Sequence, residues 1–571
     1  MTKVKNINII RDAAEAARML DNDDVIGFDT ETTGLSPWKN SLALLQFYGK
    51  ETDTLAIIQV PDGFVPDCIL DLFTKNKLFI GHNVVSFDIE FLHTHGVEWW
   101  KSQWYDTLVG ETVVAGFGRR DVSVSLRSSV RRRLGLDIDK DIEHGHWHEE
   151  LTDEQIRYAA DDVISLPALM DTQVEKAKST NQDGALQMEM QLVPVFARMC
   201  INGLPLRRDV LIKYVEEQRV LADKAEADLR VILGDINFNS VPQLKRAFES
   251  AYGVKLRSTA KDVLQDLALT GTEIGETADK LLQYRAPRQR VKMYKEAWMD
   301  EHIVNGFVHP KFWQCGTDTG RVSSSDPNIQ QVPKDGRYIF GHMEGYKVVN
   351  VDYSQIEVRI AAQIAKDAAL IERLQSDDIH TAIAAEIHGI SESEVTDAQR
   401  KLAKAETFTL LFGGGAPLLH SYAKRQGSNI TQDETYSLVS EFFKSFQGLA
   451  AMRQRAIALA QTPGPVVIRL PNGLRRILVG ANKKMTTILN TTVQGTAAVG
   501  LKYGLLEAES RGLVKDYMGA TVHDEVVSLV PNKEAEEYSK ELADAMETGM
   551  RRVLTAVPVK TSIGVGDWWQ K

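Results

Sequence analysis

Two aspartates that each follow an apolar, strand-like run are the residues best suited to chemistry. In VNVDYSQIEVR (349–359) the β-branched run ends at Asp352, and in TVHDEVV (521–527) Asp524 stands at the tip of an expected hairpin. An aspartate at a strand end is, by itself, more often a turn residue or a helix cap. Two such carboxylates brought together can bind a pair of Mg²⁺ ions about 3.5–4 Å apart, which would suit phosphoryl transfer.

A helix with cations and aromatics on one face is predicted between the two aspartates. In TDAQRKLAKAETFTLLFG (396–413), Thr396 and Gln399 have the spacing of a capping box, and the glycine at 413 can end the helix. Residues every fourth position drift by only about 40° around a helix. This face carries Arg400, Lys404, Phe408 and Phe412. The cations can hold a polyphosphate and the aromatics can stack on a base, although an amphipathic surface helix is the alternative.

A second group of acids lies in the N-terminal third. FDTETTGL (28–35) places Asp29 and Glu31 two residues apart, so that on a strand both point to one face. HNVVSFDIEFL (82–92) adds Asp88, and YAADD (158–162) adds Asp162. Four acids on separate elements predict another two-metal site, against the alternative of scattered surface acids.

The elements that must position these residues follow from hydrophobic periodicity. Strands are predicted at 25–30, 42–49 and 78–83, alternating with amphipathic segments. The polar stretch 176–185 is predicted to be a linker, and 207–234 a long helix that ends at Gly234.

Composition excludes several classes of protein. The formal net charge of -11 does not indicate a nucleic-acid binder, but the basic runs 117–133 and 285–295 suggest phosphate contacts. The three cysteines form no CxxC pair, which argues against a zinc site or disulfide framework and fits a reducing compartment. With no signal peptide and no apolar run of membrane-spanning length, a cytoplasmic protein without a membrane partner is expected.

Six segments, in order, are similar to the motifs of family A DNA polymerases, the DNA polymerase I family. DYSQIEVR (352–359), RKLAKAETFTLLFG (400–413) and VHDEV (522–526) resemble motifs A, B and C. The other three are TDTGRVSSSDPNIQQVP (317–333), DIHTA (378–382) and NTTVQGTAA (490–498). The resemblance extends over nearly the whole chain.

This resemblance implies roles residue by residue. Asp352, Asp524 and the backbone carbonyl of Tyr353 would hold two Mg²⁺ ions, with Mn²⁺ as a substitute. The dNTP would be bound by Gln355, Glu357, His380, Arg400, Lys404, Phe408 and Phe412, with Glu357 as the steric gate against a ribose 2′-OH. Primer–template DNA would be contacted by Arg321, Asn490, Gln494 and His523. Glu525 has a less clear role and is interpreted as an acid that supports the ligands.

Four positions depart from the family pattern. Thr407 stands where Asn is common, Phe412 where Tyr is common, and Val499 where Asp is usual. Thr486 replaces an arginine often found four residues before Asn490. These changes spare the metal site and bear on fidelity, template placement and base preference.

The N-terminal acids resemble those of DnaQ-like, DEDD-type 3′–5′ exonucleases of the Y subtype. The resemblance implies that Asp29, Glu31, Asp88 and Asp162 hold the metals, also two Mg²⁺ ions. Tyr158 would position the attacking water at a single-stranded 3′ end. The histidines in EHGHWHEE (143–150) look like a metal tract, but the exonuclease pattern gives them no role, and a surface loop is favoured.

The expected fold class is α/β and α+β multidomain. An RNase H-like exonuclease domain (1–180) would precede a right-hand polymerase, which would comprise a thumb (186–305), a palm (306–364 and 481–571) and fingers (365–480). Primer extension with proofreading, for DNA replication, is the expected function. No 5′-nuclease domain is expected, and the compact length resembles that of phage replicative polymerases. Whether a processivity factor docks is left open.

Three alternatives stay open on the sequence. The first is a single-subunit RNA polymerase, against which Glu357 and the exonuclease motifs argue. The second is a 3′ exonuclease with a merely DNA-binding C-terminal module, and the third is a non-catalytic DNA-binding protein. The presence of Asp352, Lys404 and Asp524 argues against both of these.

Overall fold

A six-stranded mixed sheet forms the centre of the N-terminal third of the chain. The computed structural model describes residues 9–118, 121–138, 147, 149–425 and 430–570. The strands are Ile9–Ile10 (β1), Val25–Thr32 (β2), Leu42–Gly49 (β3), Leu55–Gln59 (β4), Leu78–Gly81 (β5) and Gln103–Asp106 (β6), in the order β1-β4-β3-β2-β5-β6. The three strands predicted from periodicity are therefore confirmed as β2, β3 and β5.

Helices cover this sheet. They are Ala13–Leu20 (α1), Asp67–Phe73 (α2), Asp88–Thr94 (α3), Thr107–Ala115 (α4), Leu126–Leu134 (α5), Asp153–Ile164 (α6) and Leu166–Ser179 (α7). The central strand β3 is buried along its whole length, as expected for a strand covered on both faces. Helix α6 contacts β2, β3 and β4, so residues on α6 can reach the face of β2.

The predicted linker at 176–185 is wrong. Helix α7 runs to Ser179, and the next helix, Asp183–Asn202 (α8), begins after only three residues. Helix α8 contacts α4 and β6 as well as elements near the C-terminus, and its buried residues belong to the largest core. It therefore joins the N-terminal domain to the rest of the chain, and the predicted start of the thumb at 186 falls within this helix. The short strand Leu204–Pro205 (β7) follows it.

Five helices with a partly separate core come next. They are Arg208–Leu233 (α9), Val241–Tyr252 (α10), Lys261–Ala268 (α11), Glu273–Met293 (α12) and Glu296–His302 (α13). The predicted helix at 207–234 is confirmed as α9, and Gly234 follows it at φ 79°. Leu229, Phe248 and Leu281 lie in a second core, distinct from the main one.

The remaining residues build a four-stranded antiparallel sheet with helices inserted between its strands. Phe307–Val308 (β8), Lys311–Trp313 (β9) and Ser323–Ser325 (β10) precede Tyr346–Tyr353 (β11). The helices that follow β11 are Ile356–Ala365 (α14), Ala368–Arg373 (α15), Ile379–His388 (α16), Asp397–Leu411 (α17), Ala416–Arg425 (α18), Gln432–Ser445 (α19) and Gln447–Gln461 (α20).

The C-terminal residues complete that sheet. They form Val466–Arg469 (β12), Arg475–Leu478 (β13), Met485–Ser510 (α21), Met518–Val522 (β14), Glu525–Pro531 (β15), Ala535–Met550 (α22) and Thr561–Gly566 (β16). The sheet order is β14-β15-β11-β16, so strands distant in sequence lie side by side. Within the described ranges, no helix combines the length and the apolar character needed to cross a membrane.

Candidate active sites

The ends of β11 and β14 bring Asp352 and Asp524 to one edge of the C-terminal sheet. Asp524 lies in the two-residue turn between β14 and β15, and β15 pairs with β11 so that Glu525 is the Cα partner of Asp352. The backbone N–H of Tyr353 donates to the carbonyl oxygen of Asp524 over 3.3 Å. His523, the first turn residue, adopts the left-handed region (φ 59°), a strained conformation typical of functional turns.

The charges at this edge favour a bound cation. Burial and, to a smaller extent, the neighbouring carboxylates of Asp524 and Glu525 together raise the pKa of Asp352 to about 7. Burial also raises the pKa of Asp524. Buried acids this close resist carrying two negative charges unless a cation compensates them. The donor set is therefore one that suits a divalent metal ion.

Tyr353 contributes its backbone to this edge while its side chain faces elsewhere. The phenol donates to the carbonyl oxygen of Met546 on α22 over 2.6 Å, and the side chain is buried. Only the main chain of Tyr353 is thus available beside Asp352.

Helix α17 has the cap and the face that its sequence predicts. Thr396 accepts from the backbone N–H of Gln399, and the Gln399 side chain accepts from the N–H of Thr396. Arg400 donates to Asp378 over 2.6 Å. Burial alone would raise the pKa of Asp378, but hydrogen bonds from Arg400 and Thr381 lower it to about 2.

The rest of this face approaches helix α16. Lys404 is exposed, whereas Phe408 and Phe412 are half-buried. The rings of Phe408 and His380 lie 6.2 Å apart. Burial, with smaller effects from the charges of Lys404 and Arg400, lowers the pKa of His380 to about 4, so the imidazole is neutral at pH 7.

Three side chains expected to contact nucleotide or DNA have buried polar atoms without partners among the described residues. They are both ring nitrogens of His380, the Oε1 of Gln355 and the Oδ1 of Asn490. Native proteins leave few buried polar atoms unsatisfied, so such groups point to a missing ligand or water. Gln494 lies one helical turn after Asn490 on α21 and is half-buried.

Glu357 and Arg321 contact each other directly. Their carboxylate and guanidinium are 2.5 Å apart, and both side chains are mostly buried. Arg321 also acts on His523, whose pKa is lowered by burial and by the charges of Arg321 and Arg337. The expected steric gate is therefore joined to an expected DNA contact.

Three of the four positions that depart from the family pattern have identifiable surroundings. Thr407 donates to the carbonyl oxygen of Ala403 within α17, and Val499 is buried in the core. A methyl added at Gly413 would lie 3.1 Å from the Thr486 side chain. Nothing in the structure explains Phe412 in place of Tyr.

Glu406 on α17 is a feature that sequence reasoning missed. It is 1% exposed, and burial raises its pKa to about 8. Because Glu406 follows Lys404 by two residues, it points to the opposite side of the helix, and this spacing could have predicted its burial.

In the N-terminal domain, three acids converge. Asp29 and Glu31 lie on β2, and Asp162 lies on α6; one oxygen from each carboxylate lies within 4.8 Å of the other two. Tyr158, one turn before Asp162 on α6, is hydrogen-bonded to it. Burial raises the pKa of Tyr158, and the charges of these three acids raise it further.

Asp88 does not join this cluster. It begins α3, and it accepts a hydrogen bond of 2.6 Å from Thr30, which lies between Asp29 and Glu31 on the opposite face of the strand. Burial raises the pKa of Asp88 to about 7.

Sequence reasoning missed Thr30 and also Gln46. Gln46 is fully buried on β3 and is the ladder partner of Asp29. With its amide oriented to satisfy its surroundings, it donates to Asp29 over 3.3 Å. The alternation of side chains along a strand could have shown that Thr30 points away from Asp29 and Glu31. The position of Gln46 beside Asp29 could not be predicted without knowing how β2 and β3 pair.

The two basic runs serve mainly internal contacts. Arg132 and Arg133 bind the buried carboxylate of Glu111 at 2.6 and 3.0 Å. In the second run, Arg288 pairs with Glu226, and Arg290 pairs with Asp335. Arg119, Arg120 and the three histidines of the 143–150 tract lie outside the described residues.

Comparison with known proteins defines the class. Residues 208–571 match the model for DNA polymerase family A, and residues 4–173 match the model for the 3′–5′ exonuclease domain. The chain belongs to DNA polymerase family A and carries a 3′–5′ exonuclease domain. It is a DNA-directed DNA polymerase with exonuclease activity, which confirms the predicted fold class and function, and both domain types belong to divalent-metal enzymes.

Individual relatives agree with this family assignment. DNA polymerase I of Aquifex aeolicus is 30% identical over 590 residues, which cover 98% of each chain. DNA polymerase I of Pseudomonas aeruginosa is 28% identical over 97% of this chain and 64% of its own, so this chain spans only part of that relative. The structure of the POL domain of Pol1 from M. smegmatis, in complex with DNA primer-template and dNTP, has the same fold, with a TM-score of 0.81 and 21% identity over 98% and 99% of the two chains.

Proposed function

We propose that primer extension takes place between Asp352 and Asp524 and that the 3′ end is edited at Asp29, Glu31 and Asp162. The observation that carries the proposal is the pairing of β11 with the β14–β15 hairpin, which joins two carboxylates from distant motifs. The substrates would be primer–template DNA and dNTPs, and the expected role is DNA replication.

Two Mg²⁺ ions per site are the proposed cofactors, with Mn²⁺ as a substitute. When bound, such a pair activates the attacking oxygen and stabilises the leaving oxygen of an in-line displacement. The oxygens of Asp352, Asp524 and the Tyr353 main chain would hold them in the polymerase site. Asp29, Glu31 and Asp162 would do so in the exonuclease site, because their oxygens already lie within 4.8 Å of one another.

The incoming nucleotide would lie along α17. Arg400 and Lys404 would bind its phosphates, while Phe408 and Phe412 would stack on its base. Neutral His380, with two unpartnered ring nitrogens, and Gln355 would supply hydrogen bonds close by. Glu357, held at 2.5 Å by Arg321, would exclude a ribose 2′-OH.

The nucleic acid would be held on the other side of the carboxylates. Arg321, Asn490, Gln494 and His523 would contact the duplex near the primer end. Lys334 acts electrostatically on both Asp352 and Asp524 and would add positive charge close to the phosphates.

In the exonuclease site, Tyr158 would orient the attacking water. Its hydroxyl donates its one hydrogen to Asp162, so its oxygen would accept a hydrogen bond from that water. Asp88, the fourth expected ligand, accepts a hydrogen bond from Thr30 over 2.6 Å, and we propose that it acts on the three-acid cluster through that hydroxyl.

A primer gel tests both halves of the proposal. A 5′-labelled primer on a longer template is incubated with Mg²⁺, with and without dNTPs. We expect lengthening with dNTPs and shortening without them. Shortening of a matched primer even in excess dNTPs would contradict the polymerase assignment, and lengthening without any shortening would contradict the exonuclease assignment.

A further inference from the structure

Glu525 is a third acid at the polymerase edge, but its carboxylate is fully engaged by other groups. It follows Asp524 in the chain and pairs with Asp352 across the sheet. Its Oε1 accepts from Asn350 and from the indole N–H of Trp569, each over 2.9 Å. Its Oε2 contacts a guanidinium nitrogen of Arg337 at 2.9 Å.

Arg337 is itself held from two sides. Its guanidinium lies over the ring of Trp569, 4.4 Å from the ring centre, and its side chain is 11% exposed. Trp569 is buried, and its backbone N–H donates to the carbonyl oxygen of Phe340 over 3.0 Å. A cation that is stacked on an indole and paired with a carboxylate has little freedom to turn towards solvent.

These contacts allow Arg337 to compensate the negative charge of Glu525. Two carboxylates at this edge are proposed metal ligands, and a third unpaired charge between them would be costly when buried. Arg337 compensates that charge and, together with Asn350 and Trp569, engages both oxygens of the Glu525 carboxylate.

We propose that Arg337 is a positioning residue, which holds Glu525 out of the metal site so that Asp352 and Asp524 alone supply its side-chain ligands. The inference rests on the proposed roles of those two aspartates. Trp569, which lies three residues after β16, completes the arrangement through its contacts with Arg337 and Glu525.

A rescue experiment tests this role. In Arg337→Met the side chain keeps an aliphatic stem but loses the charged guanidinium, and Glu525 becomes free to approach the metals. We expect kcat for primer extension to fall about 10- to 100-fold at saturating Mg²⁺, the range typical when a partner behind a metal ligand is lost. Mn²⁺ binding to the enzyme without DNA or dNTP, measured by electron paramagnetic resonance, should become tighter, because an additional carboxylate is available.

The double variant Arg337→Met/Glu525→Gln should recover most of the lost kcat and return Mn²⁺ affinity to its wild-type value. Arg337→Lys keeps the charge, and its kcat and Mn²⁺ affinity should lie between those of Arg337→Met and those of the double variant. Lys347→Met, which breaks the exposed pair with Asp567 on the same sheet, is the matched control and should leave both readouts unchanged.

Two outcomes would overturn the inference. One is a double variant as impaired as Arg337→Met, which would show that Arg337 acts only on folding. The other is unchanged Mn²⁺ affinity in Arg337→Met. Asp352→Ala is measured in parallel: if it extends primers normally, the site assignment has failed, whereas an inactive Asp352→Ala beside a normal Arg337→Met rejects the inference alone.

Discussion

The exonuclease and polymerase sites each bring together acids from two elements. One additional acid lies beside each site, Asp88 in the first and Glu525 in the second, and the two differ in the groups that bind them. Asp88 accepts its hydrogen bond from the neutral hydroxyl of Thr30, whereas Glu525 is bound by the charged Arg337 together with Asn350 and Trp569. A buried acid with a neutral partner can bind a proton at little cost, and burial raises the pKa of Asp88. Burial also raises the pKa of Glu525, but its two oxygens are bound by Arg337, Asn350 and Trp569, which hold the carboxylate in one orientation. The exonuclease site thus leaves Asp88 with a neutral partner, whereas the polymerase site holds Glu525 in place.

The largest expected effect is the separation of the two activities. Asp352→Ala should lower primer extension by at least about 1000-fold, the scale seen when an essential catalytic group is removed. Degradation of single-stranded DNA should be unaffected, because its acids lie in another domain. Asp29→Ala/Glu31→Ala should show the reverse in the same two gel assays. A shared loss in either variant, with the fold intact by circular dichroism, would contradict two independent sites.

Sugar selection at the polymerase site should give the next largest effect. Glu357→Ala removes the carboxylate that Arg321 holds, so we expect discrimination against rNTPs to fall about 10- to 100-fold. The measurement is the ratio of kcat/KM for dCTP and CTP on one primer–template. Glu357→Gln, which keeps the size of the side chain, is the control and should retain most of the discrimination. Equal loss in both variants would mean that charge, and not bulk, excludes the 2′-OH.

Features that depend on local sequence were predictable. The capping box of Thr396 and Gln399 and the alternation of Asp29 and Glu31 each require only a few neighbouring residues. Helix α7 was missed because packing against the sheet holds a polar segment in a helix, and propensity is a weak guide in that case.

Features that depend on contacts between distant segments were not predictable. Neither the stacking of Arg337 on Trp569 nor the pairing of Gln46 with Asp29 follows from any spacing. The sequence does not reveal that Arg132 and Arg133 of the basic run at 117–133 bind the buried carboxylate of Glu111. A resemblance to a family supplies roles for motif residues, but it left Glu525 without a partner.

A substitution at Asp88 tests the difference between Asp88 and Glu525 more closely. Asp88→Asn should slow single-strand degradation by about 10- to 100-fold, the cost typical of a partner one step behind a metal ligand. Thr30→Val, which removes only the hydroxyl, should have a smaller effect of the same kind. Both are measured as single-turnover rates at saturating Mg²⁺. A loss as large as that of Asp29→Ala would instead make Asp88 a direct ligand.

The smallest effect concerns stability and follows from the raised pKa of Asp88. The folded pKa is about 7 and the unfolded value is near 3.9, so between these pH values the folded state binds a proton that the unfolded state does not. Stability should therefore fall as pH rises through this window, by at most about 1.4 kcal/mol per pH unit. Asp88→Asn imitates the protonated acid and should remove this decline, so in EDTA its melting temperature relative to wild type should be higher at pH 8 than at pH 4.5. Glu406→Gln tests the same principle in another domain, where the folded pKa is about 8. If Asp88→Asn gives no relative gain while Glu406→Gln does, then Asp88 is ionised in the folded protein and the contrast with Glu525 fails.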